Sequence, residues 1–293
     1  MPVLFKDKWF KGNTHIHSQA SDGGMTFDTI EKMYAGAGYD FLFRTDHWVP
    51  SDTRKDKGKK PPLLWIDGIE LDGKDAHGSY MHVVCLGRVS GIGRGMEFPQ
   101  AMESARKQGA LRILAHPHWT GNTFDDALRT DFDGVEIYNH VCRWLNGKGN
   151  SLPFWNAMMQ RRGGHVLGFA VDDAHLRPEH PGWNGGWIMV NAPKLTPANI
   201  LNAIRKGRYY STVGPEIHEL QMKDGEVVFK TSPVQFARIV GAGWDGLRMG
   251  SFDGTTFTKG RLQLPEEWTY AYLEIEDAQG RCAWTNNLLA EAT

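Results

Sequence analysis

The chain is poor in cysteine: Cys85, Cys142 and Cys282 are the only three in 293 residues. Odd in number and widely spaced, they outline neither a disulfide framework nor a paired zinc motif, so a reducing, cytoplasmic compartment is expected. An excess of charge of one sign is also missing. Lysine and arginine total 33 against 34 aspartates and glutamates, for a net charge of -1. That balance implies no obligatory nucleic-acid partner. No run approaches the ~18 apolar residues of a membrane span. The opening Met1-Pro2-Val3-Leu4-Phe5-Lys6-Asp7-Lys8 lacks the apolar centre of a signal peptide. There is no Gly-x-Ser-x-Gly elbow and no phosphate-cradling loop. Gly91-Ile92-Gly93-Arg94-Gly95 lacks the strand-to-helix setting of one and reads as a turn.

What the chain does have is histidine at the ends of apolar runs. Thr14-His15-Ile16-His17-Ser18 is followed by Ser21-Asp22-Gly23. Side chains at i and i+2 of a strand point the same way, so His15 and His17 project together, and a turn at Asp22-Gly23 can bring a carboxylate back to them. A lone His-x-His is weak evidence for a metal. Here the placement recurs, in Phe41-Leu42-Phe43-Arg44-Thr45-Asp46-His47, Leu64-Trp65-Ile66-Asp67-Gly68-Ile69-Glu70, Tyr80-Met81-His82, Ile113-Leu114-Ala115-His116-Pro117-His118, Val135-Glu136-Ile137-Tyr138-Asn139 and Phe169-Ala170-Val171-Asp172-Asp173-Ala174-His175. Core packing alone does not account for such repetition.

A composition of 41% apolar and 23% charged residues suits a large core or two domains. Helical spacing is expected at Phe27 to Ala37, Pro99 to Gln108, Thr123 to Leu128, Leu152 to Arg162 and Pro197 to Lys206, with strands between. That alternation argues for parallel strands wrapped by helices, as an α/β barrel or an open sheet. In such barrels the chemistry sits at the carboxyl ends of the strands. Ser51 to Lys60, closed by Pro61-Pro62, reads as a solvated basic loop. From about Tyr209 short strand-like runs alternate with turns at Asp224-Gly225, Asp245-Gly246 and Gln279-Gly280, which suggests a small antiparallel sandwich.

In chain order, His-x-His, Ser-Asp-Gly, Thr-Asp-His, Gly-x-Glu, His, Ala-His-Pro and Asp-x-His resemble the polymerase-and-histidinol-phosphatase (PHP) superfamily of metal-dependent hydrolases, over roughly residues 10 to 212. The resemblance implies an α/β fold, a distorted (β/α)7 barrel at 1-212 followed by a small antiparallel β-sandwich domain at 213-293. It implies two or three divalent metal ions. One would be held by His15, His17, Glu70 and Asp173, a second by Glu70 as a bridge with His82 and His116, a third by Asp22, His47 and His175. Mixed imidazole and carboxylate donors suit Mn, Zn or Fe. Two ions about 3.5–4 Å apart can share a hydroxide and clamp the attacking and leaving oxygens. Arg44 and Val171-Asp172 depart from the family pattern, so Asp172 competes with Asp173 for the ligand role.

The implied function is hydrolysis of a small phosphate mono- or diester by a metal-bridging hydroxide. Glu70 and Asp173 lie at the chemistry, and Arg44 and His118 are candidates for contact with the substrate anion. The alternative is hydrolysis of a carbamate or carboxylic (aryl) ester at the same metals, since a sandwich ending Ala283-Trp284-Thr285-Asn286-Asn287 is similar to that branch of the superfamily. A non-catalytic metal-binding module is a third reading. The expected partner is a small-molecule phosphoester or ester, with no obligatory nucleic acid and no membrane; the oligomeric state is not legible. Asp46 is expected to orient a ligand imidazole. Glu136, Asn139 and His140 are open between pocket lining and structure, and either Trp48 or Trp119 is a candidate pocket wall.

Overall fold

A computed structural model describes residues 5–56 and 62–290 of the chain; part of the basic loop, residues 57–61, lies outside them. Among the described residues there are sixteen strands. The first nine are β1 (Lys8–Asn13), β2 (Phe41–Arg44), β3 (Leu64–Lys74), β4 (Tyr80–Leu86), β5 (Leu111–Leu114), β6 (Gly134–Asn139), β7 (Leu167–Val171), β8 (Trp187–Ala192) and β9 (Tyr209–Thr212). The others are β10 (Ile217–Lys223), β11 (Glu226–Val234), β12 (Phe236–Val240), β13 (Gly246–Gly250), β14 (Phe257–Gln263), β15 (Tyr272–Glu276) and β16 (Cys282–Thr285). The five expected helices form at Phe27–Gly36, Phe98–Lys107, Phe124–Arg129, Leu152–Arg161 and Pro197–Arg205. Thr26, Thr123 and Thr196 cap three of them with their hydroxyl oxygens. Two short helices, Pro117–Thr120 and His140–Asn146, were not anticipated.

The pairs β1–β2, β2–β3, β5–β6 and β6–β7 are parallel. The uniform parallel alternation expected from the sequence is broken at β4, which runs antiparallel to both β3 and β5. Its connection to β3 is a tight turn in which the Asp75 carboxylate accepts from the amides of His77 and Ser79. No crossover helix fits there, so the chain must reverse. The strands nevertheless curl. Phe41 and Phe43 of β2, Ile66 of β3, Ile113 of β5, Phe169 and Val171 of β7 and Ile188 of β8 pack in one apolar cluster. The arc meets itself just beyond the ends of β1 and β7, where Ile16 pairs with Ala174. There the His17 amide donates to the Ala174 carbonyl and the Asp173 amide to the His15 carbonyl, both at 3.0 Å. This single bridge is the extent of the closure expected for a barrel.

The C-terminal third contributes strands to the large sheet and adds a second, small antiparallel one, and it does not stand apart. β16 pairs with β9, β9 with β8 and β8 with β1, so one ladder of 13 strands runs across the expected division at residue 212. A second sheet, β10-β11-β14, completes the sandwich over Leu220, Val227, Phe229, Ile239, Leu273 and Ile275.

Asp172 ties the site end of the arc together. Its fully buried carboxylate accepts from Asn13 Nδ2 and the Tyr34 hydroxyl, both at 2.8 Å, and from the amides of Asn184, Gly185 and Gly186. These donors join β1, the Phe27–Gly36 helix and the segment entering β8. Asp172→Ala would leave the Tyr34 hydroxyl and the Gly186 amide without this acceptor in the interior and loosen Asn13, and is expected to cost about 3 kcal/mol of unfolding free energy. Denaturant titration of the metal-free protein measures this, and an unchanged midpoint would contradict it.

Candidate metal centre

All nine histidines and acids anticipated as ligands come together at the end where β1, β2 and β7 finish. They fall into overlapping groups whose donor atoms lie within 4.8 Å of one another: His17, Asp22, His47 and His175; His15, His116 and Asp173; His15, His17 and Glu70; His47, Glu70 and His82. Strand geometry explains the convergence. His15 and His17 share a face beyond β1 while the intervening Ile16 packs beneath the Phe27–Gly36 helix. His82 is the third residue of β4, and because β4 is reversed its beginning lies where the neighbouring strands end. Asp22 returns to His17 through Gly23, where a Cβ would sit 2.4 Å from the His17 carbonyl oxygen. Asp46 secures that loop by accepting from the amides and hydroxyls of Ser18 and Ser21. It braces the chain that carries the histidines, in place of the imidazole it was expected to orient.

Four atoms form a cage: His15 Nε2, His17 Nε2, Glu70 Oε2 and Asp173 Oδ1. The two nitrogens are 3.0 Å apart. His15 lies 3.1 Å from the Glu70 oxygen and 3.3 Å from that of Asp173, and His17 lies 3.1 Å from each. Donor atoms this close to one another suit the ligands of one ion, for which zinc–nitrogen and zinc–oxygen contacts run about 2.0–2.2 Å. Both carboxylate oxygens are buried and neither accepts an aligned hydrogen bond from the protein. Such groups are costly unless a cation compensates them. The donor set therefore fits a divalent ion.

The second Glu70 oxygen faces different partners, His82 Nδ1 at 3.0 Å and His116 Nε2 at 3.6 Å. Asp22 lies 3.2 Å from His175 Nε2 and 3.4 Å from His17 Nδ1, and the His17 ring stacks between those of His175 and His47. Four non-glycine residues at the site hold positive φ: Trp48 at 58°, His116 at 28°, Asp173 at 55° and Leu176 at 52°. Such strain gathers where side chains must be aimed against backbone preference.

The protonation states match an ion's place being held by protons. Burial alone would lower the His17 imidazole, but the Asp173 and Glu70 carboxylates more than offset it and hold it up at about 10. His15 is likewise raised, against its burial, by Asp173, Glu70 and Glu136. Burial would raise Glu70 and Asp173, yet the surrounding imidazoles, His15 foremost, keep both well below the usual carboxylate range.

Two expected substrate contacts are elsewhere. Arg44 alternates with Phe43, which faces the arc's core, so its guanidinium lies on the opposite face between the rings of Phe27 and Trp65 and pairs with Asp56 at 2.6 Å. His118 is exposed on the Pro117–Thr120 helix, with Nδ1 turned to the Asn150 carbonyl at 3.0 Å. Asp173 stands in the cluster and Asp172 does not. Glu136 has a larger part than anticipated. Its Oε1 lies 2.6 Å from His15 Nδ1, and its Oε2 accepts from the His116 amide and Asn139 Nδ2. Asp72 was missed altogether; it meets His47 Nδ1 at 3.2 Å. Period-two spacing was the available signal, since Asp72 follows Glu70 by two and Glu136 alternates with the buried Val135 and Ile137.

No family model and no curated protein matches the chain. Among solved structures it is similar to a two-domain protein from Bacteroides vulgatus containing a predicted PHP-like metal-dependent phosphoesterase, with 17% identity, 98% of each chain covered and a TM-score of 0.55. A candidate metal-dependent phosphoesterase from Bifidobacterium adolescentis aligns at 12% identity over 59% of this chain and 91% of its own, with a TM-score of 0.40. The first likeness extends over both parts of the molecule and is one of fold.

Glu136→Gln leaves one acceptor oxygen where the carboxylate uses two, so it cannot serve both His15 Nδ1 and the His116 amide with Asn139, and it is expected to weaken metal binding about 10–100-fold with the fold retained. Competition with a chelator of known affinity reads this directly, and unchanged affinity would make Glu136 structural. Because His17 keeps its proton up to about pH 10 in the metal-free chain, an incoming ion must expel it, and metal affinity should rise with pH. Calorimetry in two buffers of different ionisation heat should show at least one proton released per chain; none released would contradict the ligand set.

Proposed function

Starting from the fold shared with a PHP-like protein, we propose that this chain is a metal-dependent phosphoesterase, a distorted (β/α)7 barrel extended by a β-sandwich, hydrolysing a small phosphate mono- or diester. The observation that carries the reading is the division of the buried Glu70 carboxylate. Oε2 belongs to the cage with His15, His17 and Asp173, while Oε1 faces His82 and His116. A carboxylate so shared suits a bridge between two ions, with Asp22, His47 and His175 available for a third. Bound Mn, Zn or Fe would supply Lewis acidity and an activated water, as in other sites with paired ions. The protein's own part is positional. Glu136 fixes the His15 ring, Asp46 fixes the loop that presents Asp22, and the bridge between residues 16 and 174 sets His17 against Asp173.

One observation keeps the carbamate or carboxylic ester alternative. Among the described residues, no hydrogen bond or ion pair joins an arginine or lysine to any of the nine cluster residues, and Arg44, the candidate clamp, faces away. A phosphoryl group would thus depend on metal ions for its charge.

Turnover of p-nitrophenyl phosphate and its bis-ester by the Mn-reconstituted protein, beside a p-nitrophenyl carboxylic ester, separates the two readings. Chelator-sensitive phosphoester hydrolysis is expected; ester hydrolysis alone would replace the main reading with the alternative. His17→Ala and Asp173→Asn should each lower turnover by at least about 100-fold, since each removes a direct donor where even supporting residues are worth about 10–100-fold. Circular dichroism should show the fold intact, and retained turnover in either variant would remove the assignment.

A further inference from the structure

The loops around the metal centre carry several exposed apolar side chains among polar ones. Among the described residues eight large hydrophobic side chains are exposed. Six of them, Met25, Val49, Tyr80, Phe124, Trp144 and Leu145, lie in segments that leave or enter the strand ends carrying the cluster and its supports. Scattered exposed hydrophobics are ordinary. Of these six, Tyr80 stands against a cluster histidine, His82, and an exposed ring beside a polar site is a place where an apolar part of a ligand can rest.

Two rings come closest to the ligands. Tyr80 and His82 are i and i+2 in β4 and so share a face, with Tyr80 one pleat farther out. The rings stand edge to face with centroids 5.4 Å apart. Trp119, one helical turn after His116, stands edge-on to His116 at 5.1 Å and to His82 at 6.1 Å. Tyr80 is 46% exposed yet firmly held. Its hydroxyl donates to Asp72 Oδ2 at 2.8 Å, and Asp72 Oδ1 accepts from Trp48 Nε1 at 2.9 Å. Its carbonyl accepts from Asn122 Nδ2 at 2.8 Å. A ring tied through its hydroxyl to Asp72, itself held by Trp48, and carried on a backbone anchored by Asn122 loses little freedom when it takes up a ligand.

We infer that Tyr80 and Trp119 form a rigid aromatic wall that receives a flat apolar group of the substrate while the bond to be cleaved lies at the metals. This rests on the reading of the cluster as a hydrolytic metal centre and names the class of molecule it selects, an aryl ester or a similarly planar one. With no cation among the cluster's contacts, the apolar moiety is a principal handle the site offers.

The test uses binding, so it is independent of turnover. The Mn-loaded protein is titrated calorimetrically with phenylphosphonate and methylphosphonate, and in parallel with benzoate and acetate. An aromatic wall should favour the aryl member of a pair by about tenfold. The preference should fall to within about twofold in Tyr80→Ser/Trp119→Ser and in the milder Trp119→Ser should weaken, while Trp119→Phe, which keeps a ring, retains it. Metal content is measured on every variant, and Trp244→Ser, in the distant β12–β13 turn, should leave all affinities unchanged. Equal affinity for aryl and methyl ligands in the wild type, or a preference that survives the double variant with metal retained, would overturn the wall. Phosphonates that do not bind beside a benzoate preference over acetate would sink the phosphoester reading and leave the wall standing. No binding by any of the four would overturn the wall itself.

Discussion

The structure depends on one electrostatic demand. Glu70 and Asp173 are buried at the centre of the strand ends, each with one oxygen that accepts no aligned hydrogen bond and has the His15 and His17 nitrogens packed at 3.1–3.3 Å around it. A carboxylate in that position is tolerable only beside positive charge. In the metal-free chain protons on His15 and His17 supply it, at the expense of placing two protonated rings with their Nε2 atoms 3.0 Å apart. A divalent ion at the centre of the cage satisfies all four donors at once. The neighbouring features follow from holding these donors still: the strained backbone at His116 and Asp173, the bridge between residues 16 and 174, and the anchoring carboxylates Glu136, Asp46 and Asp172.

The fold meets this demand by bringing strand ends together from different directions. β1, β2 and β7 deliver their ligands at or beyond their ends, and β4 delivers His82 at its beginning because it runs the other way. The hydrophobic work is done on both sides of the same strands. Odd and even residues of β2 illustrate it, with Phe41 and Phe43 filling the arc and Leu42 and Arg44 meeting the outer helix. The C-terminal sheet extends the same ladder through β8, β9 and β16. The sandwich is thereby fastened to the arc by backbone hydrogen bonds as well as by contacts such as Trp155 against Tyr272.

Much of this was legible in the sequence, for physical reasons. Five helices were marked by spacing, and the ligand candidates by histidines and acids at the ends of apolar runs. What was not legible depended on pairing between distant segments. The short link from Lys74 to Tyr80 dictates the reversal of β4 only once both flanking strands are known to pair, and nothing in residues 209–212 says that β16 will join them. Arg44 illustrates another limit. Its position one step before Thr45-Asp46-His47 suggested a role at the site, yet strand alternation turns it outward, and that rule could have been applied from the sequence. Glu136 and Asp72 were obscured because a supporting carboxylate has no motif of its own; its role lies in the nitrogen it faces.

The account stands most directly on where ions bind. Anomalous diffraction from Mn-loaded crystals, recorded on either side of the manganese edge, would locate them without reference to any substrate. The account predicts a strong peak enclosed by His15, His17, Glu70 and Asp173, and a second on the His82 and His116 side of Glu70. A Mn-loaded crystal with the cage empty, or with its ions bound away from Glu70, would contradict it.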